Sequence, residues 1–143
     1  MRPMRYLLDT CAISELAAKR PNQEVIDWID SVDPAAVHLS VITIGEIRKW
    51  IEKLPDSKRK STLQEWLVND LFVRFSDRIL PIDLDVILKW GQMMGRLEVS
   101  GKKMAAMDSL IAAIALSGNL KLVTRNADDF KHAGVQILNP WTG

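Results

Sequence analysis

The sequence contains few of the side chains that bind soft metals or form covalent cross-links. It has one cysteine and two histidines in 143 residues. A single thiol, Cys11, cannot form an intramolecular disulfide, and with His38 and His132 far apart there is no Cys/His spacing typical of a zinc site. We therefore expect a chain from a reducing, cytoplasmic environment. Any catalytic site must be built from other residue types.

The sequence also lacks a charge excess and a long apolar run. Nineteen Lys and Arg residues stand against 18 Asp and Glu, so the chain has no global basic field and any nucleic-acid site must be local. No apolar run approaches the ~18 residues that span a bilayer, and the apolar stretch before Asp9 is too short for a secretion signal. We expect neither export nor membrane insertion.

Short apolar runs alternate with helical patterns along the chain. A length of 143 residues and a hydrophobic content of 48% suit one domain over residues 1–143. The runs predict strands at 6–8, 37–39, 79–82, 120–124 and, as a candidate fifth, 135–138. Helical spacing predicts helices at 12–19, 24–32, 44–54, 61–75, 83–97 and 107–117, with Gly118 as the C′ residue of the last. Because parallel strands need such crossovers, we predict an α/β fold, a three-layer α/β/α sandwich with a mostly parallel sheet of four to five strands.

Three acidic residues stand alone in uncharged surroundings. Asp9 ends the first predicted strand, where open α/β sheets place ligand sites, but it equally fits a helix N-cap. Glu46 is the only charged residue in VHLSVITIGEI, and with Thr43 it also fits a capping box. Asp108 is the only charged residue in MDSLIAAIALS, so we expect it to be deeply buried, with an N-cap role as the alternative.

The segment LVTRNADDF adds further acids after the fourth predicted strand. A solvated turn with an Asx cap accounts for Asp128 and Asp129 taken alone. Taken together, acids that follow parallel strands converge on one sheet edge, where Arg125 is the only nearby base. Hard divalent cations bind oxygen ligands, so the pattern predicts a site for one or two Mg²⁺ or Mn²⁺ ions.

Four stretches carry a resemblance to a known family. YLLDTCAISE, SVITIGEI, MDSLIAAIA, and LVTRNADDF followed by ILNPW resemble the PIN-domain family, and in particular VapC/FitB-type toxins of prokaryotic type II toxin–antitoxin pairs. The resemblance implies a Mg²⁺- or Mn²⁺-dependent endoribonuclease. Its catalytic carboxylates would be Asp9, Glu46, Asp108 and Asp129, of which Asp9, Asp108 and Asp129 hold the metal. The last family motif is an Asn, two variable residues and an acid before Phe, which favours Asp129 and leaves Asp128 open.

Polar residues beside the acids are predicted to position ligands, water or substrate. They are Thr10, Ser109, Thr124, Asn126 and Arg125. Lys102 and Lys103 would guide an RNA strand, although loop lysines are usually only solvated. The resemblance further implies an RNA substrate and a cognate antitoxin that offers an Arg to the acidic cleft. We also expect a homodimer, because the helices carry more apolar surface than one small core needs, and no membrane association.

Two other functions remain open. A phosphoacceptor receiver domain needs a paired acidic motif after its first strand and a late lysine, whereas Asp9 has no acidic neighbour and Arg125 follows Thr124. A catalytically inactive PIN-fold binding module would have lost one or more acids, whereas all four positions are filled here. The sequence leaves open which RNA is cut and where, and DNA remains an alternative substrate.

Overall fold

A five-stranded sheet forms the middle layer of the fold. The computed structural model describes residues 3–142. The strands are β1 (Tyr6–Leu8), β2 (Val37–Ser40), β3 (Ile79–Leu80), β4 (Lys121–Val123) and β5 (Ile137–Leu138). Their order across the sheet is β3-β2-β1-β4-β5, and every neighbouring pair is parallel. The predicted α/β class and parallel sheet are confirmed, with the candidate fifth strand present.

Helices form the crossovers between the strands. They are α1 (Thr10–Ser14), α2 (Gln23–Ser31), α3 (Val41–Lys53), α4 (Lys58–Glu65), α5 (Phe72–Arg74), α6 (Leu84–Val99) and α7 (Ala106–Ser117). A π-helical segment, Trp66–Leu71, joins α4 to α5, and 3-10 turns occur at Glu15–Ala17, Pro34–Ala36 and Ala127–Phe130. None of the described helices is both long and apolar enough to cross a membrane.

Successive strand residues pack on opposite faces of the sheet, as the pleat requires. Leu7 and Leu122 pack with the buried side of α6 and α7, whereas Leu8 and Val123 pack with residues of α1 to α4. All four side chains are fully buried. Each such burial contributes about 1.5–3 kcal/mol relative to exposure. The two cores on either side of the sheet make up the predicted three-layer sandwich.

Some element boundaries differ from the prediction for local reasons. β3 ends at Leu80 instead of residue 82, because Pro81 has no N–H to continue the ladder. β4 and β5 are also shorter than predicted. The first helix begins at Thr10, directly behind Asp9, and tightens to a 3-10 turn from Glu15.

Two helix ends also differ. The helix predicted at 61–75 begins earlier, at Lys58, because the Ser57 hydroxyl accepts a hydrogen bond from Lys60 N at 3.1 Å and caps it. Gly118 does not have the left-handed conformation of a C′ residue, since its φ is −90°. Asn119 takes that conformation instead, with a φ of 53°.

The strand order opens a crevice at one sheet edge. From β1 the chain proceeds to β2 and β3 on one side, and then to β4 and β5 on the other. Such a switch between adjacent strands leaves a crevice at their carboxyl ends, where ligands of α/β proteins bind. Asp9 follows β1 and Thr124 follows β4, and Asp9 N donates to Val123 O at 3.0 Å. The fold thus sets these two residues side by side.

Candidate active site

Asp9 is a buried carboxylate held by two donors. Its side chain is 5% exposed. Oδ1 accepts from Thr10 N at 2.8 Å, and Oδ2 accepts from the Thr124 hydroxyl at 2.8 Å. Asp9 therefore caps α1, as one interpretation predicted, and it also lies at the carboxyl edge of the sheet, so the cap does not exclude the predicted role in a ligand site.

Cys11 lies next to Asp9, but its thiol is not in the thiolate form that a nucleophile requires. Its Sγ is 3.7 Å from Asp9 Oδ2 and 3.6 Å from Thr124 Oγ1. Burial, and after it the negative charge of Asp9, raise the pKa of the Cys11 thiol above its usual value. The sulfur stays protonated and acts as a weak hydrogen-bond donor.

Glu46 lies in the second turn of α3, so the capping-box interpretation is wrong. The helix begins at Val41, and its cap is Ser40, whose hydroxyl accepts from Thr43 N at 3.1 Å. The half-buried Glu46 side chain instead reaches across to α1. Its Oε1 accepts from the Thr10 hydroxyl at 2.7 Å. A contact between helices fixes this carboxylate.

Asp108 lies in the first turn of α7 and is not its cap, because the cap position is Ala105. The carboxylate is half-buried, so the prediction of deep burial is wrong: the amino end of α7 opens onto a cleft. Its pKa is raised from 3.8 to about 6, by burial first and then by the charges of Asp9, Asp129 and Glu46. Asp108 therefore lies in the electrostatic field of the three other predicted acids.

Asp128 and Asp129 both lie on the 3-10 turn Ala127–Phe130, and both are exposed and line the cleft with Asp108. They differ in their effect on Asp108. Asp129 raises the pKa of the Asp108 carboxyl, whereas Asp128 is not among the causes. The electrostatics favour Asp129 as the fourth acid.

The segment after Thr124 contacts the site through its backbone and exposes its side chains. Asn126 N donates to Thr124 Oγ1 at 3.0 Å, which orients the hydroxyl that holds Asp9. No side-chain hydrogen bond of Asn126 is found within residues 3–142, and this side chain is exposed. The guanidinium of Arg125 lies over the Trp141 ring, 5.5 Å from its centroid.

The comparisons with known proteins agree with this geometry. The family described as "PIN domain" matches residues 6–136. The chain belongs to the PIN-domain family. It is 38% identical to the Toxin FitB of Neisseria gonorrhoeae, over 94% of this chain and 97% of the relative. It is 35% identical to the VapC ribonuclease Y4jK of Sinorhizobium fredii, over 94% and 96% of the two chains. The crystal structure of FitAcB from Neisseria gonorrhoeae matches with a TM-score of 0.90 and 38% identity, over 95% of this chain and 98% of that one.

One predicted positioning residue of this PIN domain does not contact the acids. The fully buried Ser109 hydroxyl donates to Ala106 O at 2.6 Å and accepts from Trp90 Nε1 at 2.9 Å. Ser109 therefore ties α7 to α6 and makes no hydrogen bond to the acids within residues 3–142, so its role in positioning a site ligand stays a prediction. Adjacent residues on a helix point in different directions, so a place beside Asp108 in the sequence does not bring the Ser109 hydroxyl to the acids.

Three polar residues near the acids or in the cleft were not predicted from the sequence. Ser40 and Thr43 are fully buried hydroxyls behind Glu46, and Lys131 lines the cleft. The sequence signal for Thr43 was its spacing from Glu46, which was interpreted as a capping box. Nothing in the sequence distinguishes Lys131 from other surface lysines.

A polar cleft of about 420 Å³ opens beside the acids. Both acidic side chains and lysines line it. The lining includes Lys102, Lys103, Asp108, Asp128, Asp129 and Lys131. Negative charge beside positive charge suits a ligand that brings both a cation and a phosphate.

The donor set of the PIN domain fits a hard divalent cation. Within residues 3–142 none of the four acids has a basic side chain within 4.0 Å. Across the same residues no three His, Cys, Asp or Glu side chains are close enough to hold one ion together. Mg²⁺ commonly keeps several waters and takes one or two carboxylates directly, so it does not require three carboxylates in a tight cluster.

Proposed function

We propose that this PIN domain is the endoribonuclease toxin of a type II toxin–antitoxin pair and that it hydrolyses RNA with Mg²⁺ or Mn²⁺. The observation that carries the proposal is the raised pKa of Asp108, caused by burial and by three other acids, together with the absence within residues 3–142 of a basic side chain within 4.0 Å of any of the four. The names of two relatives, a VapC ribonuclease and a FitB toxin, support RNA as the substrate and toxicity as the biological role.

Each acid has a separate task in the proposal. Asp9, Asp108 and Asp129 would hold the cation, in part through its bound waters, and Glu46 would orient the attacking water. A divalent cation held there would supply Lewis-acid activation of a water and would neutralise negative charge on the phosphate. Thr124 fixes Asp9 through Oδ2, which would keep this carboxylate oriented for such a cation.

The lysines of the cleft supply the substrate contacts. Lys102, Lys103 and Lys131 line the same cleft as Asp108 and Asp129. Phosphates bound to these ammonium groups would lie beside the acids, which is what cleavage of a nucleic-acid backbone requires. Arg125, held over Trp141, would contact a flanking phosphate or base.

The partner we propose is an antitoxin protein that covers this cleft. An Arg from the partner would compensate the charge of the acids and replace the cation, which explains inhibition by electrostatics. Co-expression of the neighbouring gene should yield a stable complex without nuclease activity. We propose a cytoplasmic setting, because a chain with a lone thiol needs no oxidising compartment.

Cleavage of structured RNAs tests the nuclease proposal. Purified protein is incubated with RNA in Mg²⁺, in Mn²⁺ and in chelator, beside an Asp9→Asn variant prepared in the same way. Cleavage should require the metal and should fall at least ~100-fold in the variant, since the variant loses a charged oxygen ligand. Cleavage that persists unchanged in chelator would contradict the proposal. Equal cleavage by the variant would indicate a contaminating nuclease.

A matched pair of variants tests the identity of the fourth acid. Asp128 and Asp129 are adjacent, exposed and on the same cleft, so Asp128→Asn and Asp129→Asn remove the same charge one residue apart. We expect cleavage to be lost in Asp129→Asn and retained in Asp128→Asn. The reverse result would assign the role to Asp128.

A further inference from the structure

A chain of three hydroxyls runs through the interior to Glu46. Ser40 Oγ donates to Thr43 Oγ1 at 3.4 Å, Thr43 Oγ1 lies 3.0 Å from Thr10 Oγ1, and Thr10 donates to Glu46 Oε1 at 2.7 Å. Ser40 and Thr43 are fully buried. The catalytic scheme above uses neither of them.

The direction of the chain follows from proton counting. A hydroxyl donates one hydrogen bond and accepts up to two. Because Thr10 gives its only proton to Glu46, Thr43 must donate to Thr10. Ser40 in turn donates to Thr43, and its own oxygen accepts from Thr43 N at 3.1 Å. All three protons point toward the carboxylate, an arrangement in which each bond strengthens the next.

The chain connects the two strand ends that supply acids to the site. Thr10 follows Asp9 at the end of β1, and Ser40 ends β2, immediately before the helix that carries Glu46. Within residues 3–142 no donor to Glu46 Oε2 is found, so the chain holds one oxygen of the carboxylate and leaves the other free.

We propose that Ser40 and Thr43 are positioning residues that act through Thr10 to orient the Glu46 carboxylate toward the reacting water. This inference rests on the proposed function, in which Glu46 is catalytic. It assigns roles to two residues that the acid pattern does not reveal, and it predicts that losing a buried hydroxyl two contacts away from Glu46 slows the chemistry.

Thr43→Val tests the proposal because it removes the hydroxyl and keeps the shape. Thr43→Ser keeps the hydroxyl and removes the methyl. Thr62→Val is the matched control, since the Thr62 hydroxyl on α4 donates only to Lys58 O, at 2.9 Å. At saturating metal we expect Thr43→Val to lower kcat about tenfold with KM for RNA nearly unchanged, as expected when an interaction made in the transition state is lost. Thr43→Ser and Thr62→Val should retain the wild-type kcat.

A second measurement without RNA or metal tests the link to Glu46 itself. Urea unfolding is measured for wild type, Thr43→Val, Glu46→Ala and the double variant. Thr43→Val should raise the unfolding equilibrium constant about fivefold in the wild-type background and much less when Glu46 is absent, because the two side chains belong to one network. Should Thr43→Val fail to fold, Thr10→Val breaks the same chain at a half-buried position and replaces it in both assays.

The outcomes separate the two proposals. A wild-type kcat in Thr43→Val, or an equal loss in Thr43→Ser, overturns the positioning role. An effect of Thr43→Val on unfolding that is the same with and without Glu46 also overturns it. If the wild type cleaves no RNA, the proposed function fails while the unfolding cycle still decides whether the chain holds Glu46.

Discussion

Replacing Asp108 with Asn tests whether the acids repel one another in the metal-free protein. The pKa of this carboxyl is raised from 3.8 to about 6 by burial and by three acids. An acid whose folded pKa is raised binds its proton more tightly in the folded state. Stability therefore falls as pH rises from 3.8 to about 6, and the penalty is complete at pH 7. Asn does not titrate, so the variant escapes this penalty.

The magnitude follows from the pKa and the exposure of the side chain. A pKa change of this size corresponds to roughly 3 kcal/mol at neutral pH. Solvent screening of a half-buried group reduces that to about 1 kcal/mol. Asp108 also lies in the first turn of α7, where loss of its charge costs about 0.3–0.5 kcal/mol of helix-dipole stabilisation. We expect a net gain of about 0.5 kcal/mol, which raises Tm by about 2 °C.

Urea unfolding in chelator, from pH 4 to pH 8, measures this difference. The control is Asp128→Asn, which removes an acid of the same cleft that does not raise the pKa of Asp108. The stability of Asp108→Asn relative to wild type should increase with pH and level off near neutral pH. A variant that is less stable than wild type at pH 7, or a difference that does not change with pH, would refute the reasoning.

The same variant should lose its response to metal. A cation that binds only the folded state stabilises it by an amount set by the ratio of free metal to Kd. Removing a ligand charge at Asp108 raises Kd, so the rise in Tm on adding Mg²⁺ or Mn²⁺ should shrink and RNA cleavage should be lost. If Asp108→Asn keeps both the metal-induced shift and the activity, Asp108 is not part of a metal site.

Three further results are expected. Thr124→Val leaves Asp9 Oδ2 without its buried donor and should cost about 1–3 kcal/mol in urea unfolding, whereas Thr124→Ser should be close to wild type; equal losses would assign the effect to the methyl group. Replacing Lys102 and Lys103 by Gln should raise KM for RNA. It should also reduce the slope of log affinity against log salt concentration by about 1.4, and an unchanged slope would exclude phosphate contacts by these two lysines. Exposed apolar side chains, such as Leu88 at 63% exposure, lead us to expect a homodimer, which light scattering would reject by showing a monomer at every concentration.

The sheet and its acidic edge follow from the sequence pattern for a physical reason. Short apolar runs separated by helical spacing can hardly pair except as parallel strands, because each crossover returns the chain to the same edge. The carboxyl ends of all the strands therefore share one edge, and the placement of Asp9 and the last acidic motif at that edge was predictable without any knowledge of side-chain contacts. The direct pairing of β1 with β4 depends on the strand order, which the sequence pattern does not define.

The roles of Glu46 and Asp108 depended on where their helices begin, which the sequence does not define. Val41, Ile42 and Thr43 at the start of α3 are all β-branched, so this stretch is compatible with a strand or a helix. With α3 starting at Val41, Glu46 lies in the second turn of the helix and contacts α1. Starting the helix three residues later would turn the same Glu46 into a capping-box residue. A shift of about one turn in the start of α3 therefore decides whether Glu46 caps its own helix or contacts α1.

The site holds its acids with neutral donors, and this explains why charge patterns reveal the acids better than their supports. Thr124 holds Asp9 and Thr10 holds Glu46, in both cases through a hydroxyl at less than 3 Å. A lysine or arginine in these places would hold the carboxylates more strongly, but it would cancel the charge that attracts a cation. Hydroxyls orient the oxygens and leave their negative charge in place. Thr10 and Thr124 could be predicted as supports because they stand in the acidic motifs YLLDT and LVTRNADDF. Ser40 and Thr43 have no acid beside them in the sequence, so only the structure identifies these two buried hydroxyls.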